Sequence, residues 1–226
     1  AVIRGMGASS DGKGKGITAP NPDGQKLAIE RAFASSKLTP TDIQYLECHG
    51  TSTIIGDATE LTVLNELFKN RDTNQKLAIG SIKSQIGHLK SAAGIAAIIK
   101  TTLSIYHKII PPSVNFVNPN PNINWDSSPY YVNTEPKEWV TPQKGIRRAG
   151  VSAFGFGGTN YHMTLEENDS QSNYYYSHKS LDQYPLSEEN MNYQYKSDMD
   201  NSDTTFSNDL CFLFSGQGSQ YVGMAE

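Results

Sequence analysis

Two histidines stand where short apolar runs give way to helical patterns. His88 lies in a turn between the run 77–81 and an Ala, Gly and Ile-rich segment that reaches Lys100, and Lys83 shares that turn. His49 follows the alternating run 43–47 and precedes Thr51, Ser52 and Thr53. Strand-to-helix turns are where a rigid sheet presents polar groups to a ligand. A helix N-terminus carries unpaired N–H groups and partial positive charge, and Lys83 adds a full charge. Both keep an extra proton off a nearby imidazole. A neutral imidazole that donates one N–H suits an oxygen that gains negative charge during a reaction. An isolated histidine in such a turn is more often bonded to a backbone carbonyl. Thr51, Ser52 and Thr53 are equally at home in an ordinary loop or lining a channel for an extended polar ligand.

The elements that must position these residues follow the sequence. Residues 1–4 read as a strand and 5–24 as a glycine-rich loop. The Gly12-Lys13-Gly14-Lys15-Gly16 run lacks the Gly-Lys-Ser/Thr ending of a phosphate loop. Asn21-Pro22-Asp23 opens a helix that runs to about Ser36. A second helix is expected from the capping pattern Asp57 to Glu60, with Leu61, Leu64, Leu67 and Phe68 at helical spacing. The segment up to His107 reads as a helix buried on most of its sides, broken off by Pro111-Pro112. Tyr130 to Val132 is a short strand. Residues 151–160 hold a tight turn between two strands, the second at 161–165, which argues against a dinucleotide-binding loop because no helix follows the glycines. Phe154 and Phe156 stand near that turn, fit either for a pocket or for simple core packing.

Composition bounds the rest. The 226 residues carry a net charge of −4, so no nucleic-acid footprint is expected. No run is long enough for a membrane span and no signal peptide is evident. Two cysteines, Cys48 and Cys211, argue against a disulfide framework and make a reducing cytoplasm the default setting. Residues 167–208 hold half of the twelve tyrosines and almost no branched aliphatics. Such a segment cannot bury enough apolar surface to fold alone, so it reads as a disordered linker. Residues 210–214 then read as an isolated apolar strand that begins another domain, and the opening residues read as the middle of a longer polypeptide.

Taken together, His49-Gly50-Thr51-Ser52-Thr53, the stretch 83–94 and Gly155-Phe156-Gly157-Gly158-Thr159-Asn160 appear in the order and spacing of the β-ketoacyl synthases. Residues 1–166 resemble the C-terminal half of such a domain, of the polyketide and fatty-acid synthase type. Residues 212–224, including Gln217, resemble the opening of an acyltransferase domain. The division expected is thus 1–166, a linker at 167–208, and an acyltransferase start at 209–226.

The resemblance implies one half of an α/β, thiolase-like fold and a decarboxylative Claisen condensation. His49 and His88 match the family's pair of imidazole donors, and Lys83 matches the lysine that supports them. Thr51 and Thr53 match hydroxyls that bond a pantetheine arm. Phe154, Phe156 and Gly157 lie in the motif that lines and gates the acyl pocket. Gln217 falls in the acyltransferase oxyanion-region motif. The resemblance further implies acyl and malonyl thioesters as substrates and acyl carrier protein as partner, with phosphopantetheine carried on that protein and no cofactor bound directly. A homodimer is expected of the full-length protein.

Ser52 stands where modular enzymes often have Gly, and Leu89-Lys90 where they often have Thr-Glu. The family's nucleophilic cysteine belongs to the other half of the domain, and Cys48 does not occupy its position. The segment alone is therefore expected to be inactive and to expose the apolar face that the other half covers. A non-catalytic scaffold that sets chain length is the competing reading. A histidine metal site is a poor third, because the short ligand spacings are absent.

Overall fold

The computed structural model describes residues 1–13, 16, 19–142 and 145–168. The expected linker, the strand at 210–214, Gln217 and Cys211 lie outside the described residues, as do parts of the 12–16 glycine run.

The chain opens with β1, Val2–Ser10, not with four strand residues and a loop. Its glycines mark close approach. A Cβ on Gly7 would lie 2.1 Å from Ala28 O, and one on Gly5 would lie 2.5 Å from Ala32 O. Bare backbone at both positions lets helix α1, Pro22–Ser36, lie directly on the strand. That helix starts as the sequence implies, with Asn21 Oδ1 accepting the Asp23 N–H at 3.0 Å. It ends at Lys37 in the left-handed region.

A 3-10 turn, Pro40–Asp42, leads to β2, Tyr45–Glu47. Helix α2, Ile54–Leu67, begins one turn earlier than the Asp57–Glu60 pattern suggests. Thr53 caps it by accepting the Gly56 N–H at 3.2 Å. Asp57 and Glu60 are engaged instead by the preceding loop. The exposed Ile54 and Ile55 and the interior Gly56 hide this first turn from periodicity. A 3-10 turn at Thr73–Gln75 then precedes β3, Leu77–Gly80.

The passage out of β3 is more broken than one turn and one helix. Short helix α3, Lys83–Ile86, stops at Gly87 with φ 72°, and a 3-10 turn, Lys90–Ala92, precedes α4, Ala93–His107. Nor is α4 buried on most sides. Ala93, Ala97, Lys100, Thr101, Ser104 and Ile105 face inward, whereas Ile95, Ile99, Leu103 and Tyr106 are each at least half exposed. One apolar stripe of this helix faces the sheet and a second faces out.

Strand β4, Ile109–Ile110, pairs with β6, Lys137–Glu138. The main sheet takes β5, Tyr130–Val132, β7, Arg148–Phe154, and β8, Thr159–Glu166, in the order β1-β8-β7-β2-β3-β5. Strands β7, β2, β3 and β5 run parallel, and β8 and β1 continue antiparallel. The segment 151–160 is therefore mostly strand, with only the residues around Gly155–Gly158 forming the turn of a β7–β8 hairpin. Alternation along β7 is masked because it is covered on both faces. One core, with Ile29, Phe33, Leu46, Leu64 and Phe68, lies on the α1/α2 side. The other, with Tyr45, Ala97, Ile105, Trp139 and Leu165, lies on the α4 side.

Candidate active site

The site forms at the carboxyl ends of β2 and β3, where open α/β sheets hold ligands. The two strands pair in parallel with Glu47 opposite Gly80. His49 comes two residues after the first and Lys83 three after the second. Their side chains therefore leave the sheet side by side.

The loop that carries His49 is pinned from below. Glu60, buried on the first turns of α2, accepts the His49 N–H at 2.8 Å and the Gly50 N–H at 2.9 Å. Burial pushes its carboxyl up to about 7 against the pull of those two bonds. Asp57 accepts the Ser52 N–H at 3.1 Å, and burial raises it as well. Gly50, at φ 44°, must be bare because a Cβ there would meet the Ser81 side chain at 2.8 Å.

The rings of His49 and His88 meet edge to face, centroids 5.6 Å apart and planes at 84°. Lys83 Nζ lies 3.4 Å from His49 Nδ1. Burial, then the charge of Lys83, then His88 hold the His49 imidazole down to about 3. His88 Nδ1 accepts the Lys90 N–H at 3.0 Å. Burial, Lys83 and Lys90 lower His88 in the same sense. An ammonium and a backbone amide can only donate, so both imidazoles accept at Nδ1 and carry their proton on Nε2. The outcome is two neutral rings, each with one free N–H, held together by groups from β2, α3 and the turn before α4. Lys83 is itself drawn down by burial, with Glu60 and Glu47 opposing that effect.

Beside this pair is a cavity of about 680 Å³, lined by His88 but not by His49 or Phe154. Thr51, Thr53, Lys83, His88, Asn115 and Phe116 are among the residues that line it. The Thr51 and Thr53 hydroxyls are 3.1 Å apart. Asn115 and Asn120 tie the far wall down, donating to Ser84 O and Ile54 O at 3.1 Å each. Phe154 is buried with its ring 5.8 Å from that of His49. Phe156 is 64% exposed, and Phe156 and Gly157 belong to the β7–β8 turn and do not line this cavity. Cys48 is buried, and burial followed by Glu60 pushes its thiol well above the ordinary range, which suits a structural rather than a nucleophilic role. Among the described residues no group of three or more His, Cys, Asp or Glu could hold a metal ion. No helix among them is long and apolar enough to cross a membrane.

Sequence reasoning did not find Glu47, Glu60 or Lys100. All three bear on the site through buried partners, and one signal was available. Lys100 falls at the spacing of Ala93, Ala97 and Ser104, on the inward stripe of α4, and a buried lysine needs an acid.

Comparison with known proteins bears on these features. Residues 1–117 match the family described as beta-ketoacyl synthase, C-terminal domain, and residues 119–192 match the ketoacyl-synthetase C-terminal extension. The chain is 45% identical over 175 residues to a polyunsaturated fatty acid synthase of Thraustochytrium sp., covering 74% of this chain and 6% of that protein. It is 42% identical over 169 residues to polyketide synthase PksN of Bacillus subtilis, covering 74% of this chain and 3% of that protein. The solved ketosynthase from module 6 of the bacillaene synthase of Bacillus subtilis 168 superposes with a TM-score of 0.70 at 42% identity, over 75% of this chain and 32% of that one. The chain thus spans a small fraction of these curated relatives and about a third of a solved ketosynthase.

Proposed function

This chain belongs to the β-ketoacyl synthase family, and we propose that it supplies the two imidazoles with which a complete ketosynthase holds an enolate. The fold is the α/β, thiolase-like C-terminal half of that family. The observation that carries the reading is the His49–His88 pair, 5.6 Å between rings, each fixed at Nδ1 by a donor. Such a pair favours catalysis over a scaffold role.

A malonyl-type thioester enters the cavity with its carbonyl oxygen toward the two Nε2–H groups. The bond to the carboxylate breaks, CO2 leaves, and the electron pair moves through the carbon onto the thioester oxygen. His49 and His88 hold that oxygen by hydrogen bonds and keep their protons. The carbanion then attacks an acyl group carried on a thiol of the remaining part of the domain. A new carbon–carbon bond forms and the thiolate departs. Lys83 keeps His49 in the donor tautomer. Thr51 and Thr53 hydrogen-bond the pantetheine arm, and the Phe154, Phe156 and Gly157 segment borders the acyl chain.

The partners on this reading are acyl carrier protein, which brings phosphopantetheine as part of the substrate, and a second ketosynthase in a homodimer. Residues 1–166 form the ketosynthase segment, 167–208 a linker, and 209–226, with Gln217, the start of an acyltransferase. The setting is cytoplasmic.

The test is CO2 release from a malonyl thioester by the complete ketosynthase that carries this segment. His49→Ala and His88→Ala are each expected to lower the rate by about 10²–10³. Wild-type release in His88→Ala rejects the role.

A further inference from the structure

Glu47 is the last residue of β2, two positions before His49, and is fully buried. A buried carboxylate is costly unless its oxygens are met by donors. Here they are met from three directions. Oε1 accepts the N–H of Ile82, the residue that precedes Lys83 and caps α3. Oε2 accepts the Tyr45 hydroxyl at 2.6 Å and the Lys100 ammonium at 2.8 Å. Lys100 is itself only 8% exposed and leans over the Tyr45 ring, 5.8 Å from its centroid.

These partners do not sit on arbitrary elements. Glu47 ends the strand from which His49 departs. Ile82 sets the start of the helix that bears Lys83. Lys100 belongs to the helix that follows the His88 turn. We infer that Glu47 is a positioning residue for the reaction, its bonds to Ile82, Tyr45 and Lys100 locking the supports of His49, Lys83 and His88 into one arrangement. The inference rests on the catalytic reading above and extends it to residues that never touch substrate. A well-packed apolar trio would stabilise the interior as well as this ion pair, so stability alone does not explain the choice. What the charged set adds is direction. A carboxylate with two aligned oxygens fixes the Ile82 amide, and with it where the Lys83 ammonium points.

The test uses the complete ketosynthase with the charge-balanced double substitution Glu47→Gln/Lys100→Met, which leaves neither charge stranded. It is expected to fold and to release CO2 from malonyl thioester about 10–100-fold more slowly, since a displacement of about 1 Å is enough for such a loss. KM for the thioester should be unchanged. The acid limb of the rate profile should move to higher pH, because Lys83 no longer faces His49. A folded double variant with wild-type rate and profile overturns the inference. Should the double variant fail to fold, Tyr45→Phe decides, since it removes one bond and keeps the ring. A several-fold loss with the same direction of shift supports the inference, and a wild-type rate and profile rejects it. His88→Ala in the same assay separates the two claims. If it keeps wild-type CO2 release, the catalytic reading fails. If it loses release while the Glu47 variants do not, only the positioning role fails.

Discussion

Lys83 Nζ stands 3.4 Å from His49 Nδ1, at the side of the ring turned away from the free N–H. A single contact thereby does two things. It selects the tautomer that can donate from Nε2, and its charge helps keep a second proton off the ring.

Lys83→Met removes both effects. The His49 pKa is expected to rise from about 3 toward its ordinary 6.5. If the neutral ring is the working form, as proposed above, the acid limb of decarboxylation should move up in pH. A pH–rate profile or imidazole NMR titration of the complete ketosynthase checks this, and an unmoved acid limb contradicts it.

His162 offers a prediction about stability. It is buried on β8 against Phe33, with Nδ1 3.0 Å from Ser152 Oγ, and burial holds it down to about 3. Above the ordinary 6.5, folded and unfolded chains both carry it neutral, so it adds no dependence on pH. Below that, the unfolded chain takes up a proton that the folded one refuses. Stability should therefore fall by about 1.4 kcal/mol per pH unit between those limits, or about 2 kcal/mol at pH 5. His49 acts in the same sense. Urea midpoints at neutral pH and at pH 5 measure the fall, and His162→Gln should make it shallower.

Thr53 has two duties that substitution can separate. It caps α2 through Gly56 and places a hydroxyl on the cavity beside Thr51. Thr53→Ala should lose about 1 kcal/mol of stability and raise KM for the carrier-bound thioester. Thr53→Ser should restore both. Thr51→Val, which keeps the capping Thr53 hydroxyl but removes its Thr51 partner, should raise KM and lower stability by less than Thr53→Ala.

The glycines divide in the same way. Gly7→Ala forces a Cβ against Ala28 O and should cost about 2–3 kcal/mol as α1 is pushed off β1. Gly157→Ala meets open space and should melt with the wild type. A change in acyl-chain preference in that variant would mark the β7–β8 turn as part of the acyl pocket, and wild-type preference would remove Gly157 from it.

Local chemistry was readable wherever one residue settled the outcome. Asn21-Pro22-Asp23 gave the start of α1, whereas α4 ends at Lys108 in the left-handed region, with β4 standing between it and Pro111. Gly5 and Gly7 misled because a glycine that admits a helix looks like a glycine that makes a loop. The start of α2 was hidden because Asp57 and Glu60 serve the loop rather than the helix end. The His49, Lys83 and His88 set was legible as motifs, but their meeting depends on strand order, which no local pattern encodes. Glu47 and Glu60 were missed for the same reason. Their importance lies in partners 35 and 11 residues away. The outward apolar stripe of α4 shows the limit of periodicity, which reports that a face is apolar but not what lies against it.

The parallel register of β2 with β3 has a consequence for anyone who would transplant this chemistry. Neighbouring parallel strands lie about 4.8 Å apart, and His49 and Lys83 follow the ends of such a pair with Nδ1 and Nζ 3.4 Å apart. The sheet brings His49 and Lys83 level, whereas His88 reaches the site only through α3 and its stop at Gly87. A host scaffold would need two adjacent strands finishing level with each other, and after the second a short helix with a stop like Gly87 to bring the other ring into place.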